Sequence, residues 1–156
     1  MLYLRHTSTD FSKDDSKMSS FDDCANQRPL VDKGRDEARA IAGRLKRLAI
    51  PIGKVYASPF CRTVETAMLA FGKAEKTNDA RGGPLRSDDP KRYDALRQLL
   101  ATAPATGGNN VVTSHGNPYQ AVYGAPYLAE GEIAVIRPGA GPVARIKLGD
   151  WETLPK

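Results

Sequence analysis

The chain contains two histidines, and each directly follows a short apolar run. His6 comes after the run LYL and Arg5, and His115 comes after the run VVTS. Apolar runs of this length predict buried strands, and ligands of open α/β sheets bind where the carboxyl ends of the strands meet. We therefore expect both imidazoles to lie at one edge of a sheet. A histidine there can act as a nucleophile when its other ring nitrogen is held.

Two arginines accompany the histidines at this predicted edge. Arg5 precedes His6, and Arg62 lies in the first turn of a helix that we expect to begin at Pro59, with Ser58, the last residue of the predicted strand KVYAS, as its N-cap. A guanidinium group is permanently charged, and its planar fork matches two oxygens of a phosphoryl group. Free N–H groups at the start of the helix favour the same anion. The pattern therefore predicts phosphoryl chemistry.

Each part of this pattern also has a purely structural interpretation. An Arg-His pair at a strand end can be a surface ion pair, and Ser-His-Gly-Asn can be a turn with an incidental histidine. We expect no metal and no cofactor, because two histidines without a carboxylate cluster make a poor ligand set.

The elements that must position these residues alternate between strands and helices. Strands are predicted at residues 2–4, 54–58 and 110–114. Helices are predicted at 33–48 behind an Asp32 N-cap, at 59–71, after Asp88-Asp89-Pro90, and at 118–123. Residues 8–27 are predicted to form a long polar loop, 72–88 an irregular segment that can hold one short strand, and 132–137 with 143–148 a hairpin. This alternation predicts a three-layer α/β/α sandwich with a mostly parallel sheet and an antiparallel edge.

The composition is that of a globular protein. The chain has 156 residues, of which 40% are apolar and 26% charged, enough for one domain with its own core. We expect no secretory signal, since the first predicted strand begins at residue 2, and no membrane association, since no apolar run approaches the roughly 18 residues that cross a bilayer. The net charge of +5 favours anionic ligands. Nucleic-acid binding is not expected, because basic and aromatic residues are not interleaved. The oligomeric state stays open.

Four motifs follow one another along the chain. They are LYLRHT, QRPL with Gly34 four residues later, SPFCRTVETA and VVTSHGN. In this order and spacing they resemble the histidine phosphatase superfamily, also called the phosphoglycerate mutase-like fold, over about residues 1–137. The resemblance is closest to the small bacterial members. It implies a single histidine phosphatase-like domain over residues 1–156.

The resemblance also implies a role for each motif residue. His6 would be the nucleophile that becomes phosphorylated, and Arg5, Arg62 and His115 would hold the phosphoryl group. Arg28 matches the arginine of the R-P-L-x-x-x-G stretch in small phosphohistidine phosphatases. The implied activity is a metal-independent phosphatase that hydrolyses a phosphomonoester through a phosphohistidine intermediate. The alternatives are a phosphohistidine protein phosphatase and a non-catalytic phosphate-binding module, so the partner would be a small phosphorylated substrate or a phosphoprotein.

The chain departs from the family pattern at two points. Thr7 stands where the family has the glycine of Arg-His-Gly; we expect it to tighten the loop, and we include it with Asn117 among candidate substrate-binding residues. The family's glutamate general acid, between the second arginine and the second histidine, has no counterpart. Glu132, which opens a strand expected beside that of His115, is the leading candidate. The other candidates are Asp88, Asp89, Asp10 and Glu130. A phosphohistidine or acyl phosphate substrate would need no acid.

The two cysteines lead to a separate prediction. Cys24 lies four residues before Arg28, and Cys61 directly precedes Arg62. If both arginines hold one phosphoryl group, as the resemblance implies, the two sulfur atoms come close enough to bond. A disulfide would favour a periplasmic or secreted protein, whereas two free thiols would fit a cytoplasmic one.

Overall fold

A computed structural model describes residues 1–83, 89–105 and 107–152 of the chain. The strands are β1 (Leu2–Arg5), β2 (Ile52–Ala57), β3 (Glu75–Lys76), β4 (Asn109–Ser114), β5 (Ile133–Arg137) and β6 (Gly141–Ile146). The α-helices are α1 (Asp32–Arg47), α2 (Cys61–Phe71), α3 (Asp94–Ala101) and α4 (Gly116–Tyr123). Short 3₁₀ turns lie at Cys24–Asn26, Asn78–Ala80 and Leu148–Glu152.

One six-stranded sheet, in the order β3-β2-β4-β1-β5-β6, runs through the described residues. Neighbours among β3, β2, β4 and β1 are parallel, whereas β5 runs antiparallel to β1 and β6 antiparallel to β5. Arg5 pairs with Ser114 in the β1–β4 register. His6 and His115 therefore leave the sheet side by side, as their positions after two apolar runs predict.

The residues of the central strands alternate between two buried faces, as the pleat of a strand requires. In β1, Leu2 and Leu4 pack in one cluster with α1 and α2, whereas Tyr3 packs in a second cluster with α3 and α4. Val111 and Val112 of β4 divide in the same way. The predicted fold class, a three-layer α/β/α sandwich with a mostly parallel sheet and an antiparallel edge, is confirmed.

The predicted N-caps of two helices are wrong. Helix α1 begins at Asp32 itself, with Val31 as its N-cap, and the N-cap of α2 is Phe60 rather than Ser58. Asp32 still suits its position, because a carboxylate in the first turn interacts favourably with the helix dipole. Ser58 is unavailable as a cap, because its hydroxyl bonds to Nε2 of His115 (2.8 Å), and its N–H donates to the carbonyl of Thr113 (2.9 Å), which prolongs the pairing of β2.

Two further elements differ from the prediction. Glu132 does not border the strand of His115, because the hairpin runs back along β1 and β5 therefore pairs with β1 instead of β4. Helix α3 begins at Asp94, later than predicted, because the Asp89 carboxylate accepts the N–H of the residue two positions on and forms a turn there. Asp88 lies outside the described residues.

The long loop after β1 is fastened to the start of α2. The predicted disulfide between Cys24 and Cys61 is present, with their Cα atoms 5.7 Å apart. An isolated antiparallel bridge between Thr9 and Leu30 closes the loop at its other end. Residues 10–29 are thereby anchored at both ends against the edge of the sheet that carries the histidines.

In the described part of the chain, no helix is both long enough and apolar enough to span a membrane.

Candidate active site

A pocket of about 220 Å³ opens where β1 and β4 end. It is smaller than the roughly 300–1,000 Å³ that accommodate drug-sized ligands. Six of the predicted site residues line it: Arg5, His6, Arg28, Arg62, His115 and Asn117. The structure thus brings together residues that are far apart in sequence, and most of them are basic.

The ring of His6 is buried and fixed in one orientation. Its Nδ1 lies 3.0 Å from the carbonyl oxygen of Thr7, and a carbonyl only accepts, so Nδ1 carries the hydrogen and Nε2 carries the lone pair. Burial holds the pKa of His6 well below its ordinary value; the Thr7 carbonyl opposes this shift, and the charges of Arg62 and Arg5 add to it. A neutral imidazole with a free Nε2 is a competent nucleophile.

His115 stands edge-on to His6, with ring centroids 5.4 Å apart. Its Nε2 lies 2.8 Å from the hydroxyl of Ser58, and its backbone carbonyl accepts a hydrogen bond from the hydroxyl of Tyr3 (2.7 Å). Burial is also the main cause of the lowered pKa of His115, and the neighbouring charges of His6 and then of Arg62 lower this pKa further. Ser58 therefore positions the second histidine, a role that its interpretation as a helix cap missed.

The side chains of three arginines, Arg5, Arg28 and Arg62, line the pocket. The Nε atoms of Arg5, Arg28 and Arg62 are buried, and none has a hydrogen-bond partner among the described residues. Arg5 is held by a bond from Nη1 to the carbonyl of Leu128 (2.7 Å) and by the ring of Tyr127, 5.0 Å from its guanidinium carbon. Burial lowers the pKa of both Arg5 and Arg62, so a bound anion would relieve the cost of desolvating their charges.

The start of α2 contributes less than expected. The N–H of Cys61 donates to the side-chain oxygen of Gln27 (2.9 Å), and the N–H groups of Thr63 and Val64 both donate to the carbonyl of Phe60. These three groups are therefore not available to an anion. The helix serves instead to place the side chain of its second residue, an arginine, at the pocket.

The model of the histidine phosphatase superfamily, branch 1, matches residues 1–83. This chain belongs to the histidine phosphatase superfamily. Solved structures share the fold of this chain. The protein histidine phosphatase SixA, complexed with tungstate, gives a TM-score of 0.62 at 20% identity, over 96% of this chain and 97% of that one.

Two further structures extend the comparison. TTHB049 from Thermus thermophilus gives a TM-score of 0.56 at 17% identity, over 94% of this chain and 98% of that one. Phosphoserine phosphatase from Entamoeba histolytica, in complex with 3-phosphoglyceric acid, gives a TM-score of 0.60 at 15% identity, over 91% of this chain and 92% of that one. No curated relative matches the chain.

The general acid expected at Glu132 does not lie at the pocket. The Glu132 carboxylate accepts bonds from Nε and Nη2 of Arg145 (2.7 and 2.8 Å) and from the N–H of Ala129 (2.8 Å). Burial alone would raise the pKa of Glu132, but these bonds bring it below its ordinary value. The group therefore stays charged and has no proton to donate.

Thr7 also lies away from the pocket. Its hydroxyl and its N–H both lie 3.3 Å from the hydroxyl oxygen of Thr66, and its side chain is fully buried. This contact ties the turn after His6 to α2. The structure therefore places Thr7 where it tightens the loop, whereas the amide of Asn117 lines the pocket and bonds to the carbonyl of Gly83 and the hydroxyl of Tyr127.

Two other candidate acids, Glu130 and Asp10, also have other partners. Glu130 binds the hydroxyl of Thr9 (2.6 Å) and lies 3.6 Å from Arg5, while Asp10 binds Ser12 on the surface. A different carboxylate, Asp15, lines the pocket. Sequence reasoning missed it because nothing local distinguishes it from the other aspartates of the long polar loop. In the described part of the chain, no group of three or more metal-ligating side chains is placed to hold a metal ion.

Proposed function

We propose that this protein is a phosphatase that hydrolyses a phosphomonoester through a phosphohistidine formed on His6. One observation carries the proposal: Arg5, Arg28 and Arg62, each with a buried Nε that has no partner among the described residues, line one small pocket together with His6, whose Nε2 carries the lone pair. Guanidinium groups bind the oxygens of a phosphoryl group, and a neutral imidazole can attack its phosphorus.

The proposed reaction has two displacements. First, Nε2 of His6 attacks phosphorus, and the bond from phosphorus to the leaving oxygen breaks, with the electron pair going to that oxygen. A water molecule then attacks phosphorus, the N–P bond breaks, and its electrons return to Nε2 as phosphate leaves. In both steps, the guanidinium groups hold the equatorial oxygens and stabilise their charge, so the proposed reaction is metal-independent.

Two named relatives in fold support a phosphorylated substrate. One is a protein histidine phosphatase and the other a phosphoserine phosphatase, so the substrates in this fold include a protein-borne and a small phosphoryl donor. The pocket of about 220 Å³ fits the phosphoryl group and the atoms next to it, leaving the rest of either substrate outside. The disulfide between Cys24 and Cys61 favours an oxidising compartment, and we propose a periplasmic or secreted location.

The test is hydrolysis of p-nitrophenyl phosphate by the wild type and by His6→Ala. We expect the variant to lose turnover and the acid-labile, base-stable phosphoenzyme that the wild type forms with radiolabelled substrate. Circular dichroism and thermal unfolding check that the variant is folded. Retained turnover in the variant would contradict the proposal. A wild type that binds tungstate in the pocket but hydrolyses nothing would be a phosphate-binding module instead.

A further inference from the structure

Among the described residues that line the pocket, Asp15 is the one with a carboxyl group. It belongs to the long loop after β1, which the disulfide and the bridge from Thr9 to Leu30 hold against the sheet. Its position in the pocket is therefore set by the fold and does not depend on a freely moving segment. This carboxylate is a group that the proposed reaction has not yet used.

The two oxygens of Asp15 have different partners. Oδ1 accepts from the N–H of Arg28 (2.9 Å) and from Nη1 of Arg62 (2.9 Å), whereas Oδ2 accepts from Nη2 of Arg62 (3.0 Å). Both terminal nitrogen atoms of Arg62 are thus bound to the Asp15 carboxylate, although a phosphoryl group in the pocket would bind the same two atoms. When phosphoryl oxygens bind these two atoms instead, Oδ2 loses its donor, while Oδ1 keeps the backbone N–H that positions it.

The exposure of the side chains shows which side of the pocket is open to solvent. His6 is 1% exposed and Arg62 is 6% exposed, whereas Asp15 is 29% exposed. In a displacement at phosphorus the leaving oxygen lies opposite the nucleophile, here a buried imidazole. The leaving group must therefore point towards the open side of the pocket, where Asp15 stands.

We propose that Asp15 is a further catalytic residue, the general acid that protonates the leaving oxygen. This inference rests on the proposed function. Asp15 enters the reaction with a proton from solvent on Oδ2, the oxygen that has just lost its arginine partner. That proton passes to the leaving oxygen as its bond to phosphorus breaks. In the second displacement, the attacking water gives a proton back to Oδ2, so the carboxyl group is regenerated.

The test compares two substrates that differ in their need for an acid. p-Nitrophenolate leaves readily without a proton, whereas the alkoxide of benzyl phosphate does not. For Asp15→Asn, we expect kcat/KM for benzyl phosphate to fall by roughly 10²–10⁴-fold, and the loss for p-nitrophenyl phosphate to be at least about 100-fold smaller. Asp14→Asn is the matched control, because Asp14 is exposed, bonds to Ser16 and does not line the pocket. It should behave as the wild type on both substrates.

Other outcomes would overturn the assignment. Equal losses on the two substrates would make Asp15 a structural residue. Equal gains, with tighter inhibition by inorganic phosphate, would make it only a competitor for Arg62. Inhibition by inorganic phosphate also shows whether the pocket of Asp15→Asn is intact. A second variant, Asp15→Glu, should restore part of the activity on benzyl phosphate. Failure of the proposed function gives different results: either the wild type hydrolyses neither of the two substrates, or His6→Ala remains active.

Discussion

Replacing Cys24 and Cys61 together with serine should destabilise the protein measurably. The bond joins residues 37 positions apart, so it closes a long loop in the unfolded chain. The chain-entropy relation for a loop of this length gives roughly 4 kcal/mol of stabilisation lost when the bond is removed. With a urea m-value of about 2 kcal/mol per M, the unfolding midpoint should fall by about 2 M.

Urea unfolding followed by far-UV circular dichroism measures this change. The double variant and the wild type are compared with and without a thiol reductant. Reductant should lower the midpoint of the wild type towards that of the variant and leave the variant unchanged. A midpoint difference below about 0.5 M between the oxidised proteins would refute the reasoning, because it would mean that the bond does not restrict the unfolded chain.

The bond should also matter in the folded state. It holds the loop that carries Asp15 and Arg28 against the start of α2, which carries Arg62. We therefore expect the double variant to bind tungstate more weakly than the wild type, as measured by isothermal titration calorimetry. Unchanged affinity would show that the bond acts through the unfolded chain alone.

Two other predictions concern stability. In Gly34→Ala the new methyl group would collide with the carbonyl of Ser8, so we expect the free energy of unfolding to fall by roughly 1–3 kcal/mol. In Gly43→Ala, on the same helix, the methyl group meets nothing within 4 Å, so we expect that free energy to rise by roughly 0.5–1 kcal/mol. Equal changes in the urea midpoints of the two variants would contradict this. The lowered pKa values of His6 and His115 mean that the unfolded chain binds more protons, so stability should fall as pH drops below about 6.5, by up to about 1.4 kcal/mol per pH unit for each histidine. His115→Asn should remove one histidine's share of that slope, and an unchanged slope would be evidence against a buried neutral ring.

The sequence allowed the scaffold of the site to be predicted, because its signals are local. The apolar runs before His6 and His115 identify β1 and β4, and parallel pairing then brings both rings to one edge. The place of Arg62 in the first turn of α2 follows from Pro59, three residues before it, which signals the start of a helix. The disulfide prediction needed one more step, the convergence of Arg28 and Arg62 that the resemblance implies.

Other features depend on contacts that no local pattern encodes. Ser58 looks like a cap in sequence, yet pairing with β4 and the bond to His115 determine its role. Glu132 is expected at the site because it opens a strand predicted beside that of His115, but β5 pairs with β1, and Arg145 on the neighbouring strand neutralises the carboxylate. Asp15 is one of several aspartates in a polar loop, and only the bonds to two arginines far along the chain distinguish it.

The antiparallel edge of the sheet has a consequence for how these molecules meet one another. The outermost strand, β6, carries Pro142, which offers no N–H, together with a register shift opposite Val135 and Ile136 and the charged Arg145. Such features discourage the addition of a strand from a second molecule. The opposite margin, β3, is only two residues long. Both borders of the sheet are therefore poor templates for edge-to-edge aggregation.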